Sequence, residues 1–198
     1  MVGEAVGYRA PAESAAAMES AAPRESEARP ERETPSQGAR APRVRLIDAR
    51  AAGVDREGLR ARARELSAAC GARFVSRSYC FPFALVAVHA APVGVDIERV
   101  GPCEEGFADS IRTPAERAAG WPQGGELDRH VTALWCGKEA LSKALGDARD
   151  YDPRRLEGPG AWPHGRAGPW RAAPLRVDGE HVAWLCWLQA PRAAPAAL

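Results

Sequence analysis

The segment VGVDIER, residues 93–99, carries two carboxylates two residues apart. If this segment forms a strand, its side chains alternate between two faces, so that Asp96 and Glu98 share one face. Two carboxylates in this arrangement repel each other unless a cation lies between them, and hard oxygen ligands of this kind suit Mg²⁺. Taken alone, however, the strand is explained more simply by an exposed sheet face with two solvated acids.

A second group of polar side chains lies in residues 135–143. The spacing i, i+3, i+4, i+7 and i+8 places five of them on one broad helix face: Trp135, Lys138, Glu139, Ser142 and Lys143. Glu139 and Lys143 could form a simple i,i+4 ion pair worth roughly 0.2–0.5 kcal/mol. Of the 27 Lys and Arg residues, however, only these two are lysine. Because a phosphate site that needs a compact point charge favours lysine over guanidinium, the two lysines indicate a specific role.

Asp96, Glu98 and Glu139 would bring about three negative charges to one place if the strand and the helix meet. A divalent cation would then be needed to keep all three ionised near neutral pH. The chain offers no convergent His and Cys for zinc and no GxxxxGK[ST] loop for phosphate. These acids therefore predict a Mg²⁺ site.

The elements that must position these residues follow from the apolar spacing. Strands and helices mixed in antiparallel hairpins favour an α+β fold. We predict a strand over 43–48, a helix over 55–70, and strands over 83–90 and 92–100 that a short connection joins as a hairpin. A further helix starts at a capping box of Thr113 and Glu116, and the longest helix covers 126–146 and ends at Gly146. Two strands within 174–188 follow, with a turn at Asp178 and Gly179.

Residues 1–42 alternate Ala, Glu, Arg, Pro and Ser and hold almost no large apolar side chain. Such a segment buries too little surface to offset the entropy of ordering it. We therefore expect a disordered tail over residues 1–42. It is either a tether for a partner or, as we prefer, a dispensable linker or a misassigned start.

Composition excludes several classes of protein. A net charge of +1 argues against a nucleic-acid protein with a broad phosphate-binding surface. No apolar run approaches the roughly 20 residues of a membrane helix, and the first residues lack the features of a signal peptide. Five scattered cysteines without a CxxC pair argue against a disulfide framework. We therefore predict a cytoplasmic protein that binds neither nucleic acid nor membrane.

Two motifs in order identify a resemblance. GVDIE at 94–98 and, about forty residues later, WCGKEALSKALG at 135–146 resemble the 4′-phosphopantetheinyl transferase superfamily. That superfamily has a (V/I)G(V/I)D(I/V)E strand and a W-x-x-K-E-A-x-x-K-x-x-G helix, and the spacing here resembles its surfactin-synthetase-activating branch. The resemblance covers about residues 75–190. It implies an antiparallel sheet packed with helices, with a catalytic domain over 83–198 and an abbreviated N-terminal lobe over 43–82.

The resemblance also implies an activity. Enzymes of this family use Mg²⁺ to move the 4′-phosphopantetheine arm of coenzyme A to a serine of an apo acyl- or peptidyl-carrier protein, and they release 3′,5′-ADP. Asp96, Glu98 and Glu139 would hold the Mg²⁺, and Glu139 would also be the general base. Lys143 would neutralise charge that grows on the phosphates. Lys138 would either contact phosphate or support the carboxylates.

Ser76-Arg77-Ser78 occupies the place where relatives carry Ser-His-Ser in a loop before the hairpin. The histidine of that motif contacts the 3′-phosphate of coenzyme A, and arginine can make the same contact bidentately. Ser76 and Arg77 are therefore expected to bind coenzyme A, although Arg77 could be an ordinary loop arginine. For an acidic carrier helix the candidates are Arg112, Arg117 and Arg129, each of which could equally be a solvated arginine.

The match has departures that leave alternatives open. The motif loses its second glycine, since GDA stands at 146–148, and only about 40 residues stand where an N-terminal lobe is expected. The lobe is either short but adequate, completed by oligomerisation, or the cause of reduced affinity. A different function is also possible, in which a catalytically weak or inactive relative binds coenzyme A or carrier protein as a regulatory module. The intact acidic and lysine residues favour the active enzyme.

Overall fold

The computed structural model describes residues 41–104, 106–122 and 126–189. The tail predicted over 1–42 lies, except for its last two residues, outside this range. The strands are β1 (Arg43–Asp48), β2 (Phe74–Cys80), β3 (Phe83–His89), β4 (Val93–Arg99), β5 (Arg166–Ala167), β6 (Trp170–Leu175) and β7 (His181–Leu188). The helices are α1 (Ala49–Ala52), α2 (Arg56–Ala69), α3 (Phe107–Ser110), α4 (Pro114–Ala119) and α5 (Leu127–Leu145), and 3₁₀ turns cover Pro153–Arg155, Pro159–Ala161 and Pro163–Gly165.

The strands form two antiparallel sheets, which confirms the α+β prediction. One sheet has the order β1-β3-β2 and the other has the order β4-β7-β6-β5. A single apolar cluster joins the sheets, because Leu85 of β3 packs with Val95 of β4 and Leu185 of β7, all without exposed surface. Within the described residues, no helix combines the length and the apolar character that crossing a membrane requires.

The predicted hairpin of the third and fourth strands is wrong. Both strands exist and their connection is short, but β3 pairs with β1 and β2, whereas β4 pairs with β7. The reason is that β1 and β2 occupy both edges of β3, so the chain passes to the other sheet at Pro92. The boundary predicted at residue 83 falls between β2 and β3, which are neighbours in one sheet.

Ser76, Arg77 and Ser78 lie in β2, so the predicted loop at this position is also wrong. Strand alternation buries the two serines and exposes Arg77. The hydroxyl oxygen of Ser76 accepts the Val95 N–H at 3.1 Å, and that of Ser78 accepts the Ile97 N–H at 3.3 Å. Ser76 and Ser78 therefore join β2 of the first sheet to β4 of the second.

Helix α5 packs closely on β4, and one glycine permits this approach. A Cβ atom added to Gly94 would lie 1.9 Å from the carbonyl oxygen of Ala140 and 2.6 Å from the amide nitrogen of Ala144. The helix ends, as predicted, at Gly146, whose φ of 89° is left-handed. This packing sets one face of α5 beside the acidic end of β4.

Candidate active site

Asp96 is at the centre of the site that β2, β4 and α5 form. It is only 2% exposed, and its Oδ1 accepts hydrogen bonds from Lys143 Nζ at 2.6 Å and from Ser78 Oγ at 2.7 Å. Its Oδ2 is also buried but accepts no hydrogen bond from the described residues. The nearby Cys136 thiol donates instead to the carbonyl oxygen of Val182 at 3.6 Å. One oxygen of Asp96 is therefore satisfied, and the other is open to a ligand.

Glu98 lies two residues further along the same strand and is half-buried. Burial, together with the charges of Asp96 and Glu139, raises the pKa of Glu98 to about 7. The charge of Lys143 and a hydrogen bond from Trp135 oppose this increase. Glu98 thus lies close enough to Asp96 and Glu139 for their charges to act on it, and its burial is the main reason why its pKa is raised.

Glu139 faces the same site from α5, and its carboxylate has a partner that the sequence did not indicate. The Tyr151 hydroxyl donates to Glu139 Oε1 at 2.7 Å. The Tyr151 ring stacks on Trp135 with centroids 6.4 Å apart, and Trp135 meets Phe107 edge-on. Burial and the hydrogen bond to Glu139 raise the pKa of Tyr151, so the hydroxyl stays a donor. Trp135 packs beside the site, as its position in the motif suggested.

The chemistry of these groups fits a hard divalent cation. Asp96, Glu98 and Glu139 supply only carboxylate oxygens, which Mg²⁺ prefers, and Asp96 Oδ2 is buried without a partner among the residues that the structure describes. Within the described residues, no group of three or more His, Cys, Asp or Glu side chains is placed so that it could hold a metal ion. Instead, Lys143 holds one oxygen of Asp96, and Tyr151 holds one oxygen of Glu139.

Lys138 lies elsewhere, although it shares the motif with Glu139. Its side chain has no exposed surface, and its ammonium donates to Ile111 O at 2.6 Å, Glu116 Oε2 at 2.6 Å and Pro153 O at 2.8 Å. An ammonium has three donors, so these acceptors use all of them. Lys138 therefore supports Glu116 rather than Asp96, Glu98 and Glu139, and it is not part of the binding site that we propose for coenzyme A.

Glu116 acts as a structural anchor. The capping box with Thr113 is confirmed, because the Thr113 side chain accepts from Glu116 N while Glu116 accepts from Thr113 N. Glu116 also accepts from Lys138 and, at 2.7 Å, from Gly158 N. Burial opposes ionisation, but these hydrogen bonds outweigh it and lower the pKa of Glu116. The carboxylate thus joins α4, α5 and the segment after α5.

An open cavity of about 530 Å³ lies next to Lys143. Three cations from three elements line it: Arg64 of α2, Arg77 of β2 and Lys143 of α5. The described lining contains no carboxylate; its other members are Val75, Ser76, Tyr79, Val93, Gly146 and Ala148. The structure therefore brings together the predicted Ser76, Arg77 and Lys143, and it adds Arg64. No pattern in the chain distinguished Arg64 from the other three arginines of α2.

The three arginines considered for carrier binding all contact the protein itself. Arg112 lies over the ring of Trp121 at 4.6 Å from its centroid. Arg117 donates to the carbonyl oxygen of Arg112, and Arg129 donates to that of Gly179. Their guanidinium groups thus already make contacts within the protein, and their binding of a carrier protein stays a prediction.

Residues 92–158 match the family model of the 4′-phosphopantetheinyl transferase superfamily. The match includes both motif segments and extends through Gly158, so it contains Asp96, Glu98, Glu139 and Lys143. It leaves out β1, β2, β3 and α2. No curated protein matches the chain.

Proposed function

Because residues 92–158 match the family model of the 4′-phosphopantetheinyl transferase superfamily, we propose that this chain transfers the 4′-phosphopantetheine arm of coenzyme A to a serine of an apo acyl- or peptidyl-carrier protein. The products are the holo carrier and 3′,5′-ADP, and the reaction requires Mg²⁺. The observation that carries this proposal is the environment of Asp96: a buried carboxylate with one oxygen held by Lys143 and Ser78 and the other open beside two further acids.

In the proposed mechanism, Asp96, Glu98 and Glu139 would hold Mg²⁺. When bound, the ion neutralises the negative charge of the pyrophosphate and of the departing phosphate. The raised pKa of Glu98 is consistent with this arrangement, since a neighbouring cation would favour its ionised form. Asp96 would offer Oδ2 to the ion while Oδ1 stays with Lys143, and Glu98 would hold the ion in its ionised form.

Glu139 is the proposed general base. One of its oxygens accepts the Tyr151 hydroxyl, and the other takes the proton from the carrier serine, directly or through water. The serine oxygen forms a new bond to the phosphorus that carries the pantetheine arm, while the bond from that phosphorus to the bridging oxygen breaks. Lys143 neutralises the charge that grows on the departing 3′,5′-ADP.

The cavity supports coenzyme A as the donor. Its three cations, Arg64, Arg77 and Lys143, suit a ligand that carries several phosphate charges. Arg77 is exposed, whereas its neighbours Ser76 and Ser78 are buried between the two sheets. Arg77 is therefore the proposed contact of the 3′-phosphate. The Ser76 hydroxyl already accepts the Val95 N–H, and it therefore contributes to the wall rather than a strong ionic contact.

Other features of the proposal rest on the resemblance. They are the surfactin-synthetase-activating type, the shortened N-terminal lobe, holo-acyl-carrier-protein synthase activity and a cytoplasmic location. The carrier partner is proposed to approach Arg112, Arg117 and Arg129 through an acidic helix. A regulatory module that binds coenzyme A without transferring the arm is the competing function.

Intact mass measurement tests the proposal. The chain is incubated with coenzyme A, Mg²⁺ and a panel of apo carriers, and the added mass of the arm on a carrier is the expected result. Asp96→Ala and Glu139→Ala should abolish transfer while the far-UV circular dichroism stays that of the wild type. Glu180→Ala, which removes a carboxylate with a 70% exposed side chain, is the matched control and should remain active. Coenzyme A binding without transfer to any carrier would favour the regulatory module instead.

The 3′-phosphate contact has a separate test. Arg77→Ala should weaken the binding of coenzyme A more than that of dephospho-coenzyme A, because only the former carries the phosphate that Arg77 is proposed to bind. Isothermal titration of both ligands gives the comparison. Equal losses for the two ligands would refute the contact.

A further inference from the structure

The hydrogen bond between Tyr151 and Glu139 is made by a side chain that its own ring packing holds in place. The Tyr151 hydroxyl donates to Glu139 Oε1 at 2.7 Å. Its ring is stacked at 30° on Trp135, and Trp135 is itself packed against Phe107. The aromatic contacts fix the direction of the ring, and the ring fixes where the hydroxyl can donate.

The backbone around Tyr151 is anchored independently of Glu139. The amide nitrogens of Asp150 and Tyr151 both donate to the carbonyl oxygen of Asp147 at 3.1 Å, which closes a turn after α5. Two residues after Tyr151, the carbonyl oxygen of Pro153 accepts the buried Lys138 ammonium at 2.8 Å. The position of the hydroxyl is therefore set by the fold of this segment and does not depend on the carboxylate that it meets.

A glutamate at position 139 without this partner would have several competing positions. Its side chain has flexible torsions, and the charges of Asp96 and Glu98 repel it. The hydrogen bond occupies Oε1 only, so Oε2 stays available. We propose that Tyr151 is a positioning residue that holds the Glu139 carboxylate in its reactive orientation; this inference rests on the function proposed above for Glu139.

Tyr151→Phe is the direct test, because it removes the hydroxyl and keeps the ring on Trp135. We expect kcat for carrier modification to fall about 10-fold, while KM for coenzyme A and for the carrier stays within about twofold. Thr132→Val is the matched control: it deletes a hydroxyl of α5 that donates to Asp128 O at 2.6 Å, away from the acids. An unchanged kcat in Tyr151→Phe, or a raised KM alone, would overturn the proposal.

A double-mutant cycle tests the same contact without any activity. Urea unfolding is measured for the wild type, Tyr151→Phe, Glu139→Ala and the double variant. If the hydroxyl acts through Glu139, the stability change of the double variant differs from the sum of the single changes. Thr132→Val combined with Glu139→Ala should be additive, since two turns of α5 separate these residues.

The two measurements separate failure of this inference from failure of the proposed function. Additive effects of Tyr151→Phe and Glu139→Ala overturn the positioning role, whether or not the wild type transfers the arm. A wild type that modifies none of the carriers contradicts the proposed function, and the cycle then still decides whether Tyr151 holds Glu139. Non-additive stability changes of Tyr151→Phe and Glu139→Ala, together with a selective loss of kcat, support both the positioning role of Tyr151 and the proposed function.

Discussion

The two lysines of the chain lie five residues apart on α5, and each contacts a carboxylate at 2.6 Å. In the Lys138–Glu116 pair the side chains are 0% and 10% exposed, and every donor of the ammonium has a protein acceptor. In the Lys143–Asp96 pair the lysine is 23% exposed and lines the cavity, and Asp96 keeps one unpartnered oxygen. The distances are the same, but the first pair is closed and the second is open to a ligand.

This difference distinguishes an ion pair whose donors are all used from one that keeps hydrogen-bonding capacity for the ligand proposed above. Lys138 meets acceptors from three segments in a space without water access, which a compact ammonium fits better than a planar guanidinium. Lys143 can exchange part of its interaction with Asp96 for a phosphate. An arginine-rich chain thus keeps lysine at two positions for two different reasons.

A change at Gly94 should break both pairs at once, and it has the largest expected effect. Gly94→Ala would place a Cβ 1.9 Å from Ala140 O, and the helix backbone cannot yield without shifting α5 off β4. We expect a loss of about 5 kcal/mol of unfolding free energy, or failure to fold, measured by urea unfolding. Gly160→Ala is the control, because its added Cβ would meet Trp184 at an ordinary 3.8 Å. Equal stability of the two variants would contradict this account of the packing.

Removal of the closed pair's cation should cost stability rather than chemistry. Lys138→Met leaves Glu116 buried without its ammonium and frees two carbonyl oxygens, so we expect a loss of about 3 kcal/mol in urea unfolding. The transfer rate per folded molecule should stay near that of the wild type. A variant that is stable but inactive would place Lys138 in the catalytic site after all.

Removal of the open pair's cation should have the opposite signature. Lys143→Met is expected to lower kcat/KM for coenzyme A about 100-fold, which corresponds to about 2.7 kcal/mol of transition-state stabilisation. The loss of unfolding free energy should be smaller than in Lys138→Met, because the Lys143 side chain is 23% exposed and Asp96 keeps the hydrogen bond from Ser78. Steady-state kinetics and urea unfolding of the two lysine variants together check the contrast. A larger stability loss in Lys143→Met than in Lys138→Met would reverse it.

The sequence predicted the elements whose spacing is regular. The apolar stripe and Gly146 located α5 to within one residue at each end, and Thr113 with Glu116 located the start of α4. Of the motif residues, Lys143 pairs with Asp96, and Glu98 lies within electrostatic reach of Asp96, Glu139 and Lys143. These features are local or depend on one helix and one strand, so the chain pattern contains them.

The features that the sequence did not predict depend on distant contacts. The resemblance placed Ser76 and Ser78 in a loop, yet they lie in a strand, and their hydroxyls accept the amides of a strand in the other sheet. Tyr151 lies in an irregular segment with no periodicity. The choice between the roles of Lys138 and Lys143 depends on Pro153 and Ile111, whose positions near α5 only the folded chain reveals.

Acid should weaken the closed pair, and this is the smallest of the expected effects. Hydrogen bonds lower the pKa of Glu116 in the folded state, so its contribution is fully present above its ordinary value of 4.5 and is lost as the pH falls through the lower folded value. The difference in unfolding free energy between the wild type and Glu116→Gln should therefore narrow as the pH falls below about 4.5. This difference in unfolding free energy should narrow in the same way when both chains also carry Lys143→Met, because Lys143 pairs with Asp96 and not with Glu116. A difference that grows with falling pH would mean that burial, and not the three donors, governs this carboxylate.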